Sequence, residues 1–160
     1  SVFQMPLRPE VLELLGTDMI RLPAAQGATL LVDLLYSEEA ATRNLAIELF
    51  PAFGQEALDV LGLHLHDLDA DVRLFVVQAL TLIPDRDAVL KLLRAQCETE
   101  RDINILAALI EALGDMGTNL QDADAIRSIM ENYQHPYLHF VAERALQRLG
   151  FRPESAIPSP

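Results

Sequence analysis

The sequence predicts an all-α fold, a right-handed α-solenoid of about four helical hairpins behind an N-terminal capping helix. Three observations predict it. Gly54, Pro84, Gly117 and Gly150 punctuate the chain at intervals of 30, 33 and 33 residues, and each closes a similar apolar stretch. Self-similarity at that period marks stacked units, none of which buries its apolar face alone. The 160 residues are 51% hydrophobic but only 6% aromatic, a composition suited to Leu, Ile, Val and Ala packed helix against helix. The apolar runs are long and rich in helix formers, and no stretch alternates with period two, which argues against strands.

The elements follow in order. Residues 1–8 read as a lead-in. Pro9 suits the first turn of a short capping helix through Leu15, with Gly16 as its stop. Pro23 opens a helix to about Tyr36, striped by Leu30, Leu31, Leu34 and Leu35, and Ser37 is the expected N-cap of the next helix through Phe53. The second repeat pairs Gln55–His66 with Asp71–Ile83. The third pairs Asp87–Glu98, capped by Asp85 or Asp87, with Asn104–Met116. The fourth pairs Asp122–Tyr133 with Pro136–Leu149, where His135 is the expected cap and Pro136 the first helical residue. Aligning the stops places Leu45, Val76, Leu109 and Ala142 at equivalent mid-helix positions. The expected organisation is one repeat domain over residues 1–150, with repeats at about 24–54, 55–84, 85–117 and 118–150, and a flexible Pro-containing tail over 151–160.

Between the helices of the second repeat the chain reads Asp67-Leu68-Asp69-Ala70-Asp71-Val72-Arg73. An aspartate-rich turn running into Val-Arg resembles the HEAT repeat, whose loop commonly reads Asp-Pro-Asp-Pro-x-Val-Arg; Leu68 and Ala70 stand where prolines are usual. The resemblance covers about residues 24–150, is strongest in the first two repeats, and implies a short, bacterial-type HEAT-like domain. Physically, Asp67, Asp69 and Asp71 cap the coming helix and favour its positive end, and Arg73 reaches back to the loop. Arg43 shares its register, whereas Leu106 and His139 hold the matching places in the last two units. Asp67, Asp69, Asp71, Arg43 and Arg73 are therefore expected to be structural.

In such a stack the second helices line the concave side, each exposing a narrow strip. With Val72, Phe75, Val76, Ala79, Leu80 and Ile83 assigned to the core by helical spacing, the strip of the second repeat comprises Arg73, Leu74, Val77, Gln78 and Thr81. The same register gives Asn44, Ile47 and Glu48 in the first repeat, Ala107, Ile110 and Glu111 in the third, and Phe140, Glu143 and Arg144 in the fourth. The expected partner site is a mixed apolar and acidic groove. Leu74, Val77, Ile110 and Phe140 would anchor it, and Glu48, Glu111 and Glu143 would select a basic or amphipathic helical segment.

Composition excludes several chemistries. Twenty-four acidic residues against twelve basic ones give a formal charge of −12, and with no basic stripe this field repels a phosphate backbone, so no nucleic acid is expected. His64 and His66 point to different faces of a helix and His135 is a cap, so no metal site and no cofactor is expected. The His-Glu pairs of HEAT-like iron hydroxylases do not occur. The acidic clusters sit at helix starts, where capping accounts for them, and Cys97 lacks any nucleophile motif. A lone cysteine, no basic-then-apolar start and no run long enough to span a bilayer make a cytoplasmic protein without membrane contact the expectation. The reading is a non-catalytic protein-binding scaffold. Its alternatives are a ligand-handling, bilin-lyase-like HEAT protein, and a dimerisation or spacer domain of a larger protein.

Overall fold

A computed structural model describes residues 9–151, the side chains of 9–13 and 15 apart, and the predicted lead-in and most of the predicted tail lie outside them. The described residues form α-helices joined by short turns, with no strand among them. They divide into two compact units, up to Asp85 and from Arg86. The first holds α1 (Pro9–Ile20), α2 (Ala24–Leu35), α3 (Ala40–Leu49), α4 (Gly54–His64) and α5 (Ala70–Leu80), with a 3₁₀ turn at Phe50–Phe53. The second holds α6 (Arg86–Thr99), α7 (Ile103–Met116), α8 (Leu120–Asn132) and α9 (Pro136–Arg148).

Each unit stacks two hairpins like upon like. In the first, α2 packs on α4 and α3 on α5; in the second, α6 packs on α8 and α7 on α9. The apolar period of each helix dictates this, because a single hairpin leaves one stripe uncovered that only the equivalent stripe of a neighbour fits. The buried set is aliphatic, led by Leu31, Leu35, Leu61, Leu80, Leu93, Leu109, Ile110, Leu113 and Ile126. Each such side chain contributes roughly 1.5–3 kcal/mol.

Several boundaries differ from the sequence expectation. Gly16 does not stop the first helix: α1 runs on to Ile20, and Gly16 is buried against the side chains of Leu45 and Leu49. A helix tolerates an internal glycine, at about 1 kcal/mol against alanine. The helix after Ser37 starts only at Ala40 and gives way at Phe50 to the 3₁₀ turn that carries Pro51. Gly54, expected to close that stretch, opens α4 with φ 53, a conformation suited to glycine. Phe151, assigned to the tail, is half-buried with the Arg127 guanidinium 5.1 Å above its ring.

Termini are held by specific bonds. Asp69 and Asp102 each accept two backbone N–H groups at the start of α5 and α7, and Asn119 with Asp122 forms a reciprocal capping box on α8. The end of α9 is a Schellman turn: Phe151 N–H donates to Leu146 O and Gly150 N–H to Gln147 O, with Gly150 at φ 86. Asp122 is fully buried, accepting from the Thr118 and Asn119 N–H groups and from Arg94 at 2.7 Å.

Candidate functional site

One device recurs where the first three hairpins turn into their second helices. The side chain two residues before the N-cap accepts the N-cap N–H: Ser37 from Glu39, Asp67 from Asp69, Glu100 from Asp102. The backbone carbonyl of that same residue then takes a side-chain donor. Arg43 donates to Ser37 O and Arg73 to Asp67 O, both at 2.9 Å and both six residues back. In the fourth repeat His139 Nε2 meets Tyr133 O at 2.8 Å, again six residues back. A carbonyl only accepts, so Nε2 carries the proton. In the third repeat Leu106 occupies the arginine position and is fully buried, and the Tyr133 hydroxyl donates to Glu100 O instead. The apparent lapse of the arginine register is thus a change of donor with the acceptor satisfied throughout.

Asp67 also binds the Tyr36 hydroxyl and His64 Nδ1, the latter at 3.1 Å. Burial alone would raise its carboxyl, but the donors from Tyr36, the Asp69 N–H and His64 outweigh it and hold Asp67 below the usual carboxylate range. Burial, then the bond to Asp67, pushes the Tyr36 hydroxyl up to about 12. Asp71 is exposed in the first turn of α5. The Cys97 thiol is also pushed up to about 12 by burial, which leaves little thiolate at neutral pH. Among the described residues no three His, Cys, Asp or Glu side chains converge on a metal-sized site.

The second-helix strip is rotated from the sequence expectation. Ile47, Val77 and Ile110 are buried, and Glu143 at the same register is half-buried. Ala107 is buried too, at 4% exposure. These five were expected to face solvent, and four belong to the core. The reason is that each second helix is covered from more than one side, so its buried arc takes in the residue after the central core position as well. That central position is Ala46, Val76, Leu109 and Ala142, all fully buried; Leu45, aligned there from the sequence, is one residue off and half-buried. What remains exposed is Asn44, Glu48, Gln78, Glu111, Phe140 and Arg144, with Leu74 half-buried.

In the second unit this strip becomes a groove. Glu111 and Asp115 of α7 face Tyr137, Phe140, Arg144 and Arg148 of α9 across an open cavity of about 380 Å³. Gly114 lets the two helices approach closely, since a Cβ there would lie 2.7 Å from the Ala145 Cβ. Phe140 is 57% and Tyr137 48% exposed, two large aromatic side chains three residues apart on α9. Arg148 pairs with Asp115 at 3.0 Å, and the Arg144 guanidinium lies 5.6 Å from the Phe140 ring centre. Glu143 does not line this cavity. Tyr137, Asp115 and Arg148 were missed from the sequence, because their meeting depends on how α7 and α9 are rotated; the aromatic Tyr137 three residues before Phe140 was the available signal.

A profile of HEAT repeats matches residues 58–150, more than half of the chain. The chain belongs to the HEAT-repeat family. The match spans α5 with its aspartate turn and the whole second unit's helices, so the groove lies inside the recognised HEAT repeats. No curated protein and no solved structure matches this HEAT-repeat chain. HEAT repeats generally mediate protein–protein interaction. No helix among the described residues is long and apolar enough to cross a membrane.

Proposed function

We propose that this HEAT-repeat protein is a non-catalytic interaction module whose docking surface is the α7/α9 groove of the second unit. The observation that carries the reading is the exposed Phe140 and Tyr137 pair beside a formed cavity, framed by charges of both signs. Aromatic anchors at the centre of a polar rim supply most of the energy of a typical protein interface. The cavity's acids and arginines also change what the groove selects. An acidic strip would favour a basic segment, whereas Glu111 and Asp115 opposite Arg144 and Arg148 favour a partner that itself carries both signs.

The test is affinity capture from extracts of the source cell with three baits: the wild-type chain, a Tyr137→Ser/Phe140→Asp variant, and a Glu48→Arg/Gln78→Arg variant of the first unit. All four positions are exposed, so each bait is expected to keep its far-UV circular dichroism. Proteins held by the wild type and by the first-unit variant should be lost from the groove variant. Retention of every captured protein by the groove variant would overturn the assignment.

A further inference from the structure

We propose that the occupant of this groove is a second copy of the same chain, docked about a two-fold axis parallel to α7 and α9. The inference rests on the reading of the groove as a docking surface and names its partner. The geometry that supports it is the repeat register. Glu111 lies 33 positions before Arg144, and Asp115 lies 33 before Arg148. That interval is the repeat length, so the acid and the base of each pair sit level with one another on adjacent equivalent helices. The Asp115 to Arg148 ion pair at 3.0 Å and the close approach of Gly114 to Ala145 place the two helices in that register.

One wall of the groove is therefore acidic at two successive turns, and the other is basic at the same two heights. A two-fold axis running along the groove carries α7 of one copy over α9 of the other. Glu111 then faces Arg144 of the second copy, and Arg144 faces its Glu111, both contacts repeating as an isologous interface requires. Among the described residues of one chain no carboxylate pairs with Arg144, which rests on Phe140, and no basic group pairs with Glu111. The exposed Phe140 and Tyr137 of the two copies meet between the walls, where aromatic pairs favour offset or edge-to-face contact. The face also carries two acids and two bases, so it does not share the repulsion that a net charge of −12 imposes on most of the surface.

Sedimentation equilibrium of the full chain tests this. Wild type is expected to self-associate as a dimer. Glu111→Arg and Arg144→Glu, both at exposed positions, should each weaken the dimer by at least about tenfold, since like charges then meet at both contacts. An equimolar mixture of the two variants should regain a dimer. In the mixed pair the introduced arginine of one chain faces the introduced glutamate of the other, and the unaltered Glu111 and Arg144 meet at the second contact. A wild-type chain that stays monomeric at all accessible concentrations overturns the inference, while the capture experiment decides the groove itself independently. A dimer indifferent to both reversals, or singles that dissociate without recovery on mixing, overturns the proposed pairing.

Discussion

The two units share one plan and diverge on the face that meets solvent. At the positions of Tyr137 and Phe140 in the fourth repeat, the second repeat has Asp71 and Leu74; where the fourth has Arg144 and Arg148, the second has Gln78 and Leu82. Thirteen acidic residues stand against four basic ones up to Asp85, and eleven against eight after it. The cores are alike, since Ala46, Val76, Leu109 and Ala142 are all fully buried at one register. Packing thus constrains the buried positions of every repeat equally, while the strip left over is free to differ. The difference teaches where to look for recognition: the first unit presents a polar, acidic strip, and the second an aromatic one of mixed charge.

The largest effects should come from the positions that only look like strip residues. Ile110→Asp and Val77→Asp bury an unpaired carboxylate and should each cost more than about 4 kcal/mol, abolishing the cooperative transition in urea rather than merely weakening association. If either variant unfolds like wild type, the assignment of that register to the core is wrong. Next in size is a pair that separates true from apparent equivalence. Leu109→Ala, at a fully buried site, should lose about 2–5 kcal/mol, while Leu45→Ala, half-buried, should lose clearly less by the same denaturation measurement.

A smaller effect probes the shared carbonyl device. His139→Ala leaves Tyr133 O without its donor and should cost about 1 kcal/mol, whereas His139→Arg restores the donor used in the first two repeats and should recover most of the loss. Equal losses for both would mean that His139 acts through something other than that bond. The smallest expectation concerns pH and belongs to the first unit alone. Asp67 is held below its ordinary value, so its stabilisation is present above about pH 3.9 and is lost as pH falls through the lowered native value. Tyr36 is shifted upward, so its stabilisation is present below pH 10.0 and is lost as pH rises toward about 12. Asp67→Asn should flatten the acid limb of a stability against pH curve, and Tyr36→Phe the alkaline limb.

The candidate site was legible in part, and the parts divide by cause. Phe140 and Glu111 could be placed on the groove because they are exposed at a register that the loop motif anchors. Ile47, Val77, Ala107 and Ile110 could not be excluded from it, because one residue along a helix turns a side chain by about 100°, and apolar spacing does not resolve that much rotation when a helix is buried over a wide arc. His139 shows the converse. Its place in the arginine register was visible, but its bond to Tyr133 O depends on a turn geometry that no spacing encodes.

By itself the sequence determined the helices, their pairing into HEAT repeats and the Asp69 cap of the aspartate turn, because periodicity and turn chemistry act over a few residues along the chain. Only the tertiary structure decided which side chains remain outside: the depth of each second helix within its layer, the close approach at Gly114 and the meeting of Asp115 with Arg148 all arise between elements far apart in sequence. Burial is a property of neighbours, and a chain read in one dimension does not specify how far each helix is turned toward them.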